Sequence, residues 1–283
     1  VLNNLRLHSV LWAVTGLLAL VAAVTGVAVP GIYAGVVSSE LVPGAFSQDL
    51  ISIVASVGLI SVALAGGREQ AKGQIIALGL LGYLFYAFGI YVIERTYNGF
   101  YLVYLAIFSL SFWALIAAGA SLQRDFRAPE LPRSLRLISA SGALLQPMIF
   151  YPLWIGMLLP LMSSGNQIDS LYSIFILDLC FIMPGFLLLA ILAYRSRPLG
   201  MLLLPALYVL GFALIFSLAL GELVKPLFGL DTNIQSFWTS LVLSVFFGVL
   251  GALHLLRLEL TAGPGQPAQR AAHQRHTGST SRR

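Results

Sequence analysis

Charge is what this chain has least of. Only 10% of its 283 residues are Asp, Glu, Lys or Arg, against 58% hydrophobic, and its mean hydropathy is +0.90. A soluble domain carries about 25% charged residues. A chain this apolar cannot cover its surface for water, so the bilayer is expected to be its solvent. Alternating polarity is missing from the long apolar runs, which argues against a β-barrel. In lipid the backbone groups must then be satisfied within helices. Cysteine is down to Cys180 alone, which excludes an intrachain disulfide and a cysteine metal cluster. Inside its apolar run it reads as a small buried hydrophobe. Lysine is nearly absent as well: Lys72 and Lys225 against 14 arginines, a usage that fits a GC-rich bacterial genome. Also missing are GxxxxGK[ST], GxSxG, DxDxDG, HExxH and CxxCH. Nucleotide hydrolysis and serine acyl transfer therefore have no support. No catalytic or metal-ligating set is singled out, the cofactor is left open, and nothing points to nucleic acid. His8 and His254, near the ends of the first and last spans, are a weak haem pair at most.

What is there is a series of eight apolar runs, at 7–29, 50–66, 74–93, 100–122, 137–162, 174–194, 201–221 and 237–256. They predict an all-α polytopic transmembrane helical bundle of about eight spans over residues 1–260. A basic tail at 261–283, rich in Gly, Pro, Gln, Ser and Arg, is expected to be disordered. The first run is longer than the h-region of a signal peptide, so it reads as a retained helix. With both termini in the cytoplasm, 14 of the 16 basic residues fall inside, and only Arg95 and Lys225 fall outside. That is a strong positive-inside bias for a multi-pass protein of the cell membrane.

Four landmarks recur at nearly constant spacing. Pro30 and Pro160, Asp49 and Asp178, Arg68 and Arg197, and Glu94 and Glu222 are separated by 130, 129, 129 and 128 residues. Two parallel four-helix halves, 1–122 and 137–260, would produce this pattern. So would unrelated helices of bilayer length with basic inner loops, and both readings stay open.

The candidate site residues are polar groups at membrane depth. Asp178 lies 17 residues from Arg195, or ~25 Å along a helix, inside the apolar zone. An intramembrane carboxylate costs about 2.5–3.5 kcal/mol on insertion scales, so it faces a cavity or a partner. Tyr83 and Tyr86 share a helix face too deep for the interfacial aromatic belt and are read as pocket walls. The stretch 83–104, with six tyrosines, looks like the hairpin around which the bundle is organised. Asn98, Glu94 and Asp49 are placed with Asp178 as ligand-binding candidates at the outer side. Each has a plainer reading. Asn98-Gly99 is a turn signal, Glu94 and Arg95 pair with other outer-loop charges, and Gln48-Asp49 caps the second span. Gln146 donates into a cavity or bonds across helices. Pro147, Pro152 and Pro160 predict a kinked or locally open fifth span.

The segments GIYAG, QDL, YLFYAFGIYVIERTYNGFYLVYLAIFSLS, LDLCFIMPG and RSRPLG resemble a group of uncharacterised multi-pass membrane proteins of actinobacteria and related bacteria. The resemblance covers most of the membrane region and implies the eight-helix architecture, with no activity attached. Arg195-Ser196-Arg197 stands where that group has a longer arginine run. The reading favoured from sequence is an integral membrane protein binding a small molecule, ion or lipid in an outer-leaflet pocket, of the kind transporters have. The alternatives are a membrane-embedded enzyme on a lipid-linked substrate, using Asp49, Asp178 and Glu94, and a structural or assembly subunit.

Overall fold

The computed structural model describes residues 2–64, 70–122 and 129–259. The tail at 261–283, and with it Arg68, Arg124 and Arg127, lies outside the described residues. Eight spans are long and apolar enough to cross a membrane. They are α1 (Leu5–Ala28), α2 (Val42–Leu64), α3 (Ala71–Ile93), α4 (Tyr101–Ala120) and α5 (Arg133–Ser164). The sixth is built of α6 (Tyr172–Leu177), a π turn (Asp178–Ile182) and α7 (Met183–Tyr194). It is followed by α8 (Pro198–Val224), which continues into a 3₁₀ turn, and α9 (Ile234–Arg257). A second 3₁₀ turn, Pro30–Tyr33, follows α1. Leu2 pairs with Leu122 and Glu130 with Glu259, so both ends of the described chain meet at one end of the bundle, the terminal end. The turns at Asn98, Gly165 and Gly229 mark the opposite, hairpin end.

Three expectations change. The second span begins at Val42, not at residue 50, which puts Gln48 and Asp49 about two helical turns inside α2 and removes their capping role. Hydropathy treats these polar residues as a terminus; hydrogen bonds from tyrosines make them tolerable inside. The fifth span is one continuous helix through its three prolines and is not opened at any of them. Distortion appears instead in the sixth, where Met183 N–H reaches back to Asp178 as a π turn. Pro184 follows at once and has no N–H to give Cys180, so a wider turn there costs less regular bonding. Cys180 itself is exposed on the bundle's apolar surface rather than buried.

The centre is α3. Within its most apolar window 78% of residues are buried, against 28% for α4 and 11% for α5. Only the first arm of the tyrosine hairpin is therefore central. α3 packs along α8, and small residues let the two come close. A Cβ on Gly79 would lie 2.6 Å from the Ala206 carbonyl oxygen, a backbone atom that cannot rotate away. Around this pair the two sides pack alike. α1 lies on α2 and α4, α2 on α3, and α3 on α4; α5 lies on α7 and α9, α7 on α8, and α8 on α9.

Replacing Gly79 by Ala is expected to lower stability by about 1–3 kcal/mol through overpacking of α3 on α8. Gly156→Ala is expected to be neutral or to stabilise by about 0.5–1 kcal/mol, because a Cβ there meets nothing within 4 Å in mid-helix. Thermal melts of the two variants in detergent check the pair.

Candidate functional site

Two carboxyl groups lie buried in the hairpin-end half, and their surroundings differ. Asp49 is 1% exposed. The Tyr91 hydroxyl donates to its Oδ1 at 3.0 Å, and Tyr33 donates to its Oδ2. The two phenols lie 3.2 Å apart with stacked rings. Tyr104 packs on Tyr91 at 4.9 Å between centroids. Behind the carboxyl stands Gly26 of α1, where an added Cβ would sit 1.8 Å from Asp49 Oδ2. α1, α2, α3 and α4 thus close on one knot. Tyr33 holds its proton more tightly than free tyrosine, because burial takes it from water and the Asp49 charge opposes a second anion. It remains a donor, as the knot requires.

Asp178, at 6% exposure, is held differently. Trp154 of α5 donates its indole N–H to Oδ2 at 2.8 Å, and Tyr86 of α3 also interacts with the carboxyl. Beside it is a cavity of about 270 Å³, enclosed by α3, α5, the sixth span, α8 and α9 and touched by Gln48 of α2. Much of its lining is apolar, with Met183, Phe186 and Phe247 almost fully buried. Polar groups enter its wall from several helices: Asp178, Gln48, Gln146, Ser217, Thr239 and Ser240. Gln48 spends its amide N–H on the Ala87 carbonyl at 2.9 Å. Gln146 is 6% exposed and makes no hydrogen bond among the described residues. Its amide is not among the fully buried groups left without a partner, so it opens onto the cavity, where a bound group can reach it.

Of the six residues predicted for the pocket, three line this cavity: Asp178, Tyr83 and Tyr86. Tyr83 gives its hydroxyl to the Gln48 carbonyl at 2.9 Å, which ties α3 to α2. The other three lie elsewhere. Asp49 is in the tyrosine knot, about 100° around α2 from its neighbour Gln48, which does reach the cavity. Asn98 folds its own turn, accepting from Phe100 N–H at 3.0 Å and donating to the Tyr104 hydroxyl at 3.1 Å. Glu94 accepts from Ser173 N–H at 2.8 Å at the start of α6, rather than pairing with a loop charge. The sequence reading passed over Gln48 as a site residue, and also Trp154, Ser217, Thr239 and Ser240. One signal was present. Gln146, Phe150 and Trp154 recur every four residues, which puts them on one face of α5.

The histidines serve the terminal end. His8 bonds Ser121 at 2.7 Å, and His254 bridges Ser139 and the Met201 carbonyl at 2.7 and 2.8 Å. Among the described residues, no three His, Cys, Asp or Glu side chains gather as a metal site. Asp178 has no second carboxyl in its cavity wall, so the arrangement offers one acid, an indole N–H, an amide and hydroxyls. It can hold a polar group by hydrogen bonds, and the pair of carboxyls expected for a shared-metal site is not in this wall among the described residues.

Tyr91→Phe removes a hydrogen bond to a buried carboxyl and is expected to cost about 1.5–3 kcal/mol in thermal stability. Tyr97→Phe, on an exposed ring of the same hairpin, is expected to be neutral within about 0.5 kcal/mol. No protein-family model, no curated protein and no solved structure matches this chain.

Proposed function

We propose that this multi-pass membrane protein binds a small molecule or ion in the cavity beside Asp178, with the carboxyl holding the polar part of the ligand. The observation that supports this most is the convergence on that cavity of a carboxyl and several polar side chains from different helices. At about 270 Å³ the space is near the lower end of ligand pockets, about 300–1,000 Å³, and it has the usual form of an apolar enclosure with a few convergent polar groups. The π turn at Asp178 adds support, since such turns recur at functional sites. The positive-inside bias supports an orientation with both termini in the cytoplasm, in which the cavity lies in the outer-leaflet half of the cell membrane.

Transport is the extension of this reading that one observation favours. The helices of the two sides pack in the same order around α3 and α8, as in carriers built of parallel repeats that rock about a central site. The enzyme alternative is disfavoured by the separation of Asp49 and Glu94 from Asp178. A purely structural role suits Asp49 and leaves the cavity beside Asp178 without a purpose.

The test is a thermal-shift screen of purified protein against monovalent and divalent cations, small amines and lipid extracts, run beside Asp178→Asn. The expected outcome is a ligand that raises the melting midpoint of wild type and has at least about tenfold weaker effect on the variant, the loss of one charge-assisted hydrogen bond. Failure of every ligand class on wild type, with the variant merely melting lower, contradicts the proposal.

A further inference from the structure

The cavity's mouth, its charge and its counterpart across the bundle together describe the ligand, on the assumption that the cavity beside Asp178 is a binding site. The exposed side chains among its lining put the mouth between α5 and α9. At the terminal end these helices are clamped. Ser139 bonds His254, and a Cβ on Gly142 would lie 2.5 Å from Leu250. Beyond Pro147 the clamp ends. Met148 is 69% exposed and Met162 77%, and α5 keeps Phe150 and Trp154 on the cavity while most of its other side chains face outward. Across the gap, Leu218 of α8 and Thr239 of α9 line the cavity and are themselves exposed, Leu218 to 54%. Thr239 is the sixth residue of α9, ~7.5 Å down the helix from Ile234. The opening therefore faces the hydrocarbon zone sideways, where an acyl chain can lie and a hydrated ion gains nothing.

The charge is one-sided. Asp178 is the only ionisable acid or base in the wall other than tyrosine, with no Lys, Arg or His beside it. The ion pair found among the described residues, Lys225 with Glu222, is elsewhere. A phosphate head would meet only this carboxyl and no cation. A protonated amine has three N–H donors, to be shared between Asp178 and hydroxyl oxygens of the same wall.

The counterpart shows what such a carboxyl takes when the chain itself supplies it. Asp49, 129 residues earlier and at a similar depth in the second span, receives two phenol donors and is sealed by Gly26. At Asp178 the corresponding space is open, and the donors are one indole and Tyr86. We infer that the cavity takes a phosphate-free amphiphile with a cationic amine head, which enters sideways from the bilayer between α5 and α9, sets its head against Asp178 and leaves its chain in the gap.

The experiment uses the full chain in phosphatidylcholine nanodiscs, with a dibrominated eighteen-carbon amine as probe. Quenching of Trp154 is read as the difference between wild type and Trp154→Phe, and butylamine and the dibrominated eighteen-carbon carboxylic acid are run alongside. The expected result is saturable quenching by the long amine, at least about tenfold weaker in Asp178→Asn and absent with the acid. A second variant, Leu218→Phe with Thr239→Phe, fills the mouth and leaves Asp178 in place. It is expected to weaken the long amine by a similar factor while protection by butylamine against thermal unfolding is unchanged. Butylamine binding as tightly as the long amine, or the filled mouth having no effect, overturns lateral entry and leaves the Asp178 site standing. Equal quenching by the acid overturns the cationic head. No response to an amine of either length, together with a blank ligand screen, overturns the site as well.

Discussion

A carboxyl group cannot sit in hydrocarbon without a donor, and this constraint is met twice in the same bundle by different means. Moving such a group to the middle of a bilayer costs about 2.5–3.5 kcal/mol on insertion scales, and failing to bond it costs more. Asp49 is satisfied from within. Tyr33 and Tyr91 supply its bonds, Tyr104 packs behind them, and the absence of a side chain at Gly26 lets α1 close over the carboxyl. Four helices are thereby pinned at one point, so the knot is a device of folding. Asp178 gets an indole and a tyrosine, and beside it is space. The difference between the two acids comes from the first helix of each side. α1 lies close along its neighbour, whereas α5 beyond Pro147 keeps one face, that of Phe150 and Trp154, on the bundle and exposes most of the rest.

The centre of the bundle explains why the open side does not collapse. α3 and α8 meet through glycine and alanine, with Gly79 against the Ala206 carbonyl, so their backbones approach too closely to be displaced. The terminal end is fixed by polar contacts: His8 with Ser121, His254 with Ser139, and Lys72 Nζ with the Leu256 carbonyl at 3.0 Å. With the middle and one end packed, α5 is clamped at its start and held beyond Pro147 by one face, with Trp154 bonded to Asp178.

Much of this could be read from the residues, and the failures have physical causes. The eight spans follow from hydropathy alone, because in lipid a long apolar run has few alternatives to a helix. Asp178 was identifiable from depth, since nothing in its own helix could satisfy it. Asp49 was misplaced because its partners, Tyr33 and Tyr91, come from other elements, and without them a carboxyl two turns inside a helix looks like a helix end. Glu94 and Asn98 share the outer side with the cavity but spend their hydrogen bonds on the local turn and on α6. Gln48 was invisible for the opposite reason. One residue's rotation around α2 separates the knot from the cavity, and sequence does not give that rotation. The Gln146, Phe150 and Trp154 face was legible in its spacing of four, but the prolines beside it drew the reading toward a broken helix.

The claim at the centre is that two buried acids of similar depth differ in access. A hydrophobic carbodiimide, supplied through the bilayer and followed by mass mapping of the modified peptides, measures this directly. It converts a reachable carboxyl to a stable acylurea without needing the ligand to be known. The account predicts modification at Asp178 and none at Asp49 in the folded protein, with both reacting after unfolding. Equal modification of the two in the folded state, or an Asp178 that stays inert while Asp49 reacts, would contradict it.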